Sequence, residues 1–175
     1  MSGQRFIGID YSTTSCGIAI FDGDTLATHV VKSKPVPGGL SAYYARIYDQ
    51  AMSVLKIIEP SPDDVIGIEK AIVMGRRTDT EVRLHYAWHR FVEYLHSWGV
   101  SAIADPLEIP PASVKELATG SGAAKKQQMV QATRDEFGIC VSEDEADAVW
   151  VAVGASVLHG TPLITVTHIP KGFRR

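Results

Sequence analysis

The sequence predicts an α/β domain: a mixed five-stranded sheet, antiparallel at one side and parallel at the other, with helices on both faces. Three observations carry this. The chain opens with three apolar strands in an antiparallel meander. Two further strands then alternate with long amphipathic helices, the order that makes crossover connections. The length of 175 residues, 45 % of them hydrophobic and 21 % charged, suffices for one domain with its own core.

Residues 5–10 read as a buried strand, with Phe6, Gly8 and Asp10 on one face and Ile7 and Ile9 on the other. Residues 17–21 form a second strand, Asp22-Gly23-Asp24 a hairpin turn, and residues 25–32 a third. Pro35-Val36-Pro37-Gly38-Gly39 breaks the pattern. Leu40, Tyr44, Ile47, Ala51, Val54, Leu55 and Ile58 then recur at helical spacing until Pro60-Ser61-Pro62. Residues 64–69 are the next strand, with Gly67 and Glu69 sharing a face. A helix capped by Thr78 or Asp79 buries Leu84, Ala87, Trp88, Phe91, Leu95 and Trp98 and ends at Gly99. A fifth strand is expected at residues 100–104, followed by a short helix from Pro110-Pro111 that carries Lys115. After a loop at Thr119-Gly120-Ser121-Gly122, residues 123–137 form a helix closed by Gly138. Ser142 and Glu145 make a capping box for a last helix that ends at His159-Gly160. Residues 1–160 thus form the domain, and residues 161–175 a tail whose Leu163-Ile164-Thr165-Val166 could add a strand or an arm for a partner. This element order is ribonuclease-H-like.

A net charge of -3 argues against a uniformly basic nucleic-acid binder, but not against local basic patches beside an acidic site. Cys16 and Cys140 lack the spacing of a zinc site or a disulfide framework and are expected to be core thiols in a reducing compartment. No signal segment or membrane-length apolar run is visible, so the expected location is the cytoplasm.

Four acids fall where a phosphodiester-cleaving site would need them. Asp10 and Glu69 end apolar strands that pair side by side. Each has a glycine two residues back, Gly8 and Gly67, which is expected to leave room for a metal or a substrate backbone. Asp144 and Asp147 are three apart and share a helix face that continues through Ala148 and Val151 into apolar territory. Singly, a strand-end Asp is a turn residue and a first-turn acid complements the helix dipole. Jointly, gathered carboxylates repel one another unless cations neutralise them. Hard oxygen ligands suit Mg²⁺, with Mn²⁺ able to substitute, and two such ions can clamp both oxygens of a displaced phosphodiester.

Several stretches resemble RuvC-type Holliday junction resolvases. They are Phe6-Ile7-Gly8-Ile9-Asp10 with Gly17-Ile18-Ala19; Gly67-Ile68-Glu69-Lys70; Pro111-Ala112-Ser113-Val114-Lys115 with Gly120-Ser121-Gly122-Ala123-Ala124-Lys125-Lys126; and Asp144-Glu145-Ala146-Asp147-Ala148. The resemblance implies a homodimeric, Mg²⁺-dependent endonuclease that nicks a four-way DNA junction symmetrically. It implies catalytic, metal-binding acids at Asp10, Glu69, Asp144 and Asp147, and functional lysines at Lys126 and Lys115. It also places the dimer contact on the aromatic-rich helix carrying Trp88 and Phe91; an aromatic-rich core is the plainer account of that helix. Two departures suit a phage-type member. Tyr11-Ser12-Thr13-Thr14 stands where the family has Pro-Gly after its first Asp. Ala71-Ile72-Val73-Met74 offers no aromatic wedge after Glu69, which leaves Ile72 or Met74 to insert into DNA.

Lys125 and Lys126 open a helix after a Gly-rich loop, where they could clamp phosphate or simply face solvent. Arg76 and Arg77 could grip a DNA arm or be plain surface charge. His85 and His89 have zinc-compatible spacing, but no Glu stands beside His85 as the hydrolytic zinc motif requires, and they read better as bordering an interface. Three rivals stand beside the resolvase reading. One is another ribonuclease-H-like nuclease, acting on RNA or on branched or flap DNA. The second is a protein that binds branched DNA without cutting. The third is a one-domain nucleotide binder, suggested by Ser12-Thr13-Thr14-Ser15, which is similar to the phosphate loop of the sugar-kinase and actin superfamily.

Overall fold

The computed structural model describes residues 3–71, 79–98, 104–166 and 168–173. Strands β1 (Arg5–Tyr11), β2 (Ser15–Asp22) and β3 (Thr25–Lys32) form the antiparallel meander. Gly23, at φ 57°, turns the hairpin between β2 and β3 in the left-handed region that glycine tolerates. Strand β4 (Val65–Glu69) lies parallel to β1, with Gly8 opposite Gly67, and β5 (Leu107–Ile109) lies parallel to β4, with Glu69 opposite Ile109. The sheet order is β3-β2-β1-β4-β5, so β1 is central. This is the mixed sheet expected from the sequence.

Period-two alternation splits the sheet into two cores. Ile7, Ile9, Ile18, Ile66 and Ile68 meet helices α1 (Gly39–Ile58) and α2 (Asp79–His96) on one face. Phe6, Ala19, Phe21 and Val65 meet α3 (Pro111–Thr119), α4 (Lys126–Phe137) and α5 (Glu143–His159) on the other. The guanidinium of Arg5 pairs with Asp64 at 2.6 Å, and Asp64 also accepts the Ser61 amide, which ties β1 to the start of β4. Trp150 Nε1 donates to Thr133 Oγ1 at 3.0 Å, joining α5 to α4 inside the core.

Helix α5 is the centre of the second core and is buried almost all round from Ala146 to Ser156. It sits directly on the sheet. A Cβ at Gly17 would lie 1.9 Å from the carbonyl oxygen of Asp144, and one at Gly8 would lie 2.0 Å from that of Ala148. A Cβ at Gly67 would meet the Ala155 Cβ at 2.8 Å. Strand glycines and the small residues of α5 thus let helix and sheet backbones touch. This corrects one expectation: the space beside Gly8 and Gly67 is filled by α5, not left open for a metal or a substrate backbone.

Other differences are local. Strand β2 starts at Ser15, two residues earlier than read from the sequence, and α4 starts at Lys126, with Lys125 as its N-cap. Leu40 and Tyr44 are exposed (63 % and 44 %), because α1 turns Tyr43 inward instead, and the Tyr43 hydroxyl donates to the Arg83 carbonyl of α2 at 2.7 Å. The expected strand at 100–104 lies, apart from Ala104, outside the described residues; the fifth strand described is Leu107–Ile109. Cys16 is buried as expected, but Cys140 is exposed, with its sulfur 3.0 Å from an Arg134 guanidinium nitrogen. The segment after Gly160 contributes no strand at residues 163–166. It folds back along α5: Leu163 N donates to Ser156 Oγ, His168 pairs with Glu116 of α3 at 2.8 Å, and a 3-10 turn, Lys171–Phe173, buries Phe173 against Gly154.

Candidate active site

The four predicted acids come from three elements that meet at one end of the sheet. Asp10 lies near the end of central β1 and Glu69 ends the adjacent parallel strand β4. Both point to the face covered by α5, as their registers with Gly8 and Gly67 require. Asp144 and Asp147 lie in the first two turns of α5, which the capping box starts on schedule: the Ser142 amide donates to Glu145 Oε2 at 2.8 Å and the Glu145 amide to Ser142 Oγ at 3.4 Å. Glu145 itself turns away and accepts the Thr28 hydroxyl of β3 at 2.9 Å, docking the helix start on the meander.

The carboxylates act on one another electrostatically. Burial, then the charges of Glu69, Asp147 and Asp144, hold the Asp10 proton well above the usual carboxylate range, against the pull of Lys126. Burial and the charge of Asp147 raise Glu69 to about 7, although Lys115 and Lys126 oppose the shift. Asp147 is raised to about 6, by burial first, with Lys126 and Lys115 pulling it down and Asp144 and Glu143 pushing it up. Asp10 therefore lies within the field of the other three acids, Glu69 within that of Asp147, and both predicted lysines act on Glu69 and Asp147. The Nζ of Lys126 sits 3.4 Å from Glu143 and 3.8 Å from Asp144. Burial lowers its proton affinity, but the hydrogen bond to Glu143 and the charges of Asp144, Glu143 and Asp147 outweigh this and raise it.

Among the described residues, no three His, Cys, Asp or Glu side chains are drawn together tightly enough to hold a metal as they stand. Asp144 has partners on both oxygens, Lys126 at Oδ1 and the Ser15 hydroxyl at Oδ2 at 2.5 Å. In kind, however, the donors fit a hard divalent cation: four carboxylates, no thiol or imidazole, and protons held up by burial first and by mutual repulsion second, both of which a bound cation would offset.

The remaining candidates divide. Lys115 is on α3 beside the acids, whereas Lys125 is exposed at the α4 N-cap and donates its amide to Gln128 Oε1. Arg76, Arg77, Ile72 and Met74 lie outside the described residues. His85 and His89 stack with ring centroids 6.2 Å apart on α2, and among the described residues they join no metal cluster. Phe91, taken as part of a subunit contact, is fully buried against Tyr11 in the first core, and Trp88 packs partly buried beside it. The outward surface of α1 and α2 is made by Tyr44, Tyr48, Val82 and Tyr86 instead. No helix of the described residues is long and apolar enough to cross a membrane. Sequence reasoning missed Ser15, which it left as a member of a serine-threonine run; only the three-dimensional approach of β2 to α5 reveals its partner.

No family model matches the chain, and no curated protein matches it. Solved structures do. The structure of Thermus thermophilus RuvC in complex with a Holliday junction substrate superposes with a TM-score of 0.64 at 19 % identity, over 91 % of this chain and 98 % of that one. A second structure of Thermus thermophilus RuvC gives a TM-score of 0.62 at 20 % identity, with the same coverage. The chain has the RuvC-type fold, a ribonuclease-H-like mixed sheet with helices on both faces.

Proposed function

We propose that this protein is a structure-selective endonuclease that resolves four-way DNA junctions, with Asp10, Glu69, Asp144 and Asp147 holding two Mg²⁺ ions and Mn²⁺ able to replace them. The observation that carries this is the convergence of the four carboxylates, from β1, β4 and α5, beside two lysines, in the fold of a protein solved with a Holliday junction.

When bound, the ions would lower the pKa of an attacking water and stabilise the departing 3′ oxygen, leaving 5′-phosphate and 3′-hydroxyl ends. The protein's own groups do the positioning. Asp10, on the central strand and in the field of all three other acids, would hold the ions together with Glu69, Asp144 and Asp147. Glu69 comes from the neighbouring strand, within the field of Asp147, and Asp144 and Asp147 come from α5. Lys126 and Lys115 supply fixed positive charge at the rim, where a DNA phosphate can exchange for the carboxylates they now face. A homodimer would set two such sites about a twofold axis, matching the near-twofold symmetry of a junction. Its contact belongs on the outer face of α1 and α2, at Tyr44, Tyr48, Val82 and Tyr86, because Phe91 is inside.

A gel assay with four substrates tests the proposal: a mobile four-way junction, a duplex, a flap and an RNA–DNA hybrid, each with and without Mg²⁺. Paired nicks in the junction alone, dependent on Mg²⁺, are expected. Preferential cutting of the hybrid or the flap would replace junction resolution by another nuclease activity. Junction binding without cutting in either Mg²⁺ or Mn²⁺ would leave a binding protein.

A further inference from the structure

Asp144 is held by a serine that belongs to another element. Ser15, the first residue of β2, donates its hydroxyl to Asp144 Oδ2 at 2.5 Å, and the other oxygen of that carboxylate faces Lys126 Nζ. Ser15 is fixed in its turn. Its amide donates to Ser12 Oγ at 3.1 Å, while the amide and hydroxyl of Ser12 donate to the Ser15 carbonyl at 3.1 and 2.6 Å. The turn at residues 12–15 is latched to α1. Gln50, a buried amide 2 % exposed, donates to the Ser12 carbonyl at 3.0 Å. The Arg46 guanidinium donates to the carbonyls of Thr13 and Ser33 and to Ser33 Oγ. The Ser33 amide closes the set on the Thr14 carbonyl at 2.8 Å.

A continuous run of hydrogen bonds therefore leads from α1, through the turn that follows Asp10, to the carboxylate of Asp144. A hydroxyl that needed only to satisfy the start of a strand could do so on nearby backbone, as Ser12 does. Ser15 instead reaches across 129 residues of sequence to a charged acceptor. A donor of this kind fixes which rotamer the acid adopts and which oxygen it presents, and such outer partners set metal affinity as well as ligand orientation.

We propose that Ser15 is a positioning residue for Asp144, with the turn at residues 12–15 as its mount. The proposal rests on reading the acid cluster as a metal centre. The test compares wild type, Ser15→Ala, Ser15→Thr and Asp10→Asn as full chains, by calorimetric titration of Mg²⁺ without DNA and by junction cleavage across Mg²⁺ concentrations. Ser15→Ala is expected to weaken Mg²⁺ binding by about 10-fold or more, with the metal-free thermal midpoint unchanged. Ser15→Thr, which keeps the hydroxyl, is expected to restore the wild-type affinity. If Ser15→Ala lowers the thermal midpoint, the near-isosteric Ser15→Cys, a weak donor, makes the same comparison with the shape kept. Wild-type Mg²⁺ affinity in the alanine and cysteine variants, or equal weakness in the threonine variant, overturns the positioning role. Asp10→Asn separates the two readings. If it abolishes Mg²⁺ binding while Ser15→Ala does nothing, only the positioning role is lost; if Asp10→Asn also binds normally, the metal centre itself is wrong.

Discussion

Replacing Gly17 by alanine adds one methyl group where β2 passes under the start of α5. In the unrelaxed structure that methyl would lie 1.9 Å from the carbonyl oxygen of Asp144, whereas ordinary contact begins near 3.4 Å. Strand and helix must therefore part by about 1.5 Å, and the nearest atoms the methyl would meet are all main chain, so no rotamer change can relieve the overlap. Overpacking of a dense core costs about 1–3 kcal/mol, and occasionally more when backbone must move. A chain of this size loses roughly 2–4 °C of thermal midpoint per kcal/mol, so a fall of roughly 2–12 °C is expected. The displaced residue carries a proposed metal-binding acid, and a misplacement of about 1 Å in such a constellation costs on the order of 10²-fold in rate. Gly67→Ala is the internal control. Its methyl would meet Ala155 Cβ at 2.8 Å and the Val151 carbonyl at 3.1 Å, a milder overlap farther along the helix, so it should lose stability with a smaller loss of rate. Thermal unfolding followed by circular dichroism, with single-turnover junction cleavage at saturating Mg²⁺, reads both effects. Wild-type stability and rate in Gly17→Ala would falsify the direct seating of α5 on the sheet.

Three further outcomes follow from the same structure. Asp10→Asn removes a carboxylate that its neighbours oppose, so it should abolish cleavage, leave junction binding intact and raise metal-free thermal stability at neutral pH; a lower midpoint would contradict the mutual repulsion. The raised values of Glu69 and Asp147 fix the sign of a pH dependence: the folded protein holds protons that the unfolded chain releases, so their contribution is fully present below about pH 4 and is lost as pH climbs through about 6 to 7. Metal-free stability, measured by urea unfolding, should decline across that window, and Asp147→Asn should flatten the decline. Phe173→Ala empties a buried aromatic site against α5 and should cost about 3 kcal/mol by denaturant titration; a change near zero would mean that the chain end is not docked in solution.

The acids were legible because their positions obey simple periods. Asp10 and Glu69 continue the glycine-bearing face of strands with strict alternation, and a capping box fixes the phase of α5, so Asp144 and Asp147 could be turned inward from sequence alone. The role of the strand glycines was not legible. A missing side chain says that something approaches closely, but not whether it is a ligand or a helix. The signal that could have decided it was the row Ala148, Ala152 and Ala155 on a helix apolar on every side. Strand β5 was not read from the sequence, because three residues carry too little alternation to stand out. Tyr43 was missed for Tyr44 because positions three and four residues before Ile47 both suit a helical stripe, and only the packing of α2 chooses between them. The Ser15 contact spans so much sequence that no local pattern could have announced it.

The lateness of α5 in the chain has a consequence for how the protein is made. Translation delivers the meander, both parallel strands and four helices before Glu143 emerges from the ribosome, yet the glycines of the sheet still lack the helix that packs on them at that point. The same segment that seals this face brings the last two carboxylates. A polypeptide interrupted before it therefore lacks half of the acidic quartet together with the main wall of one core, so the proposed metal-binding cluster and the cover of that core are completed by one helix.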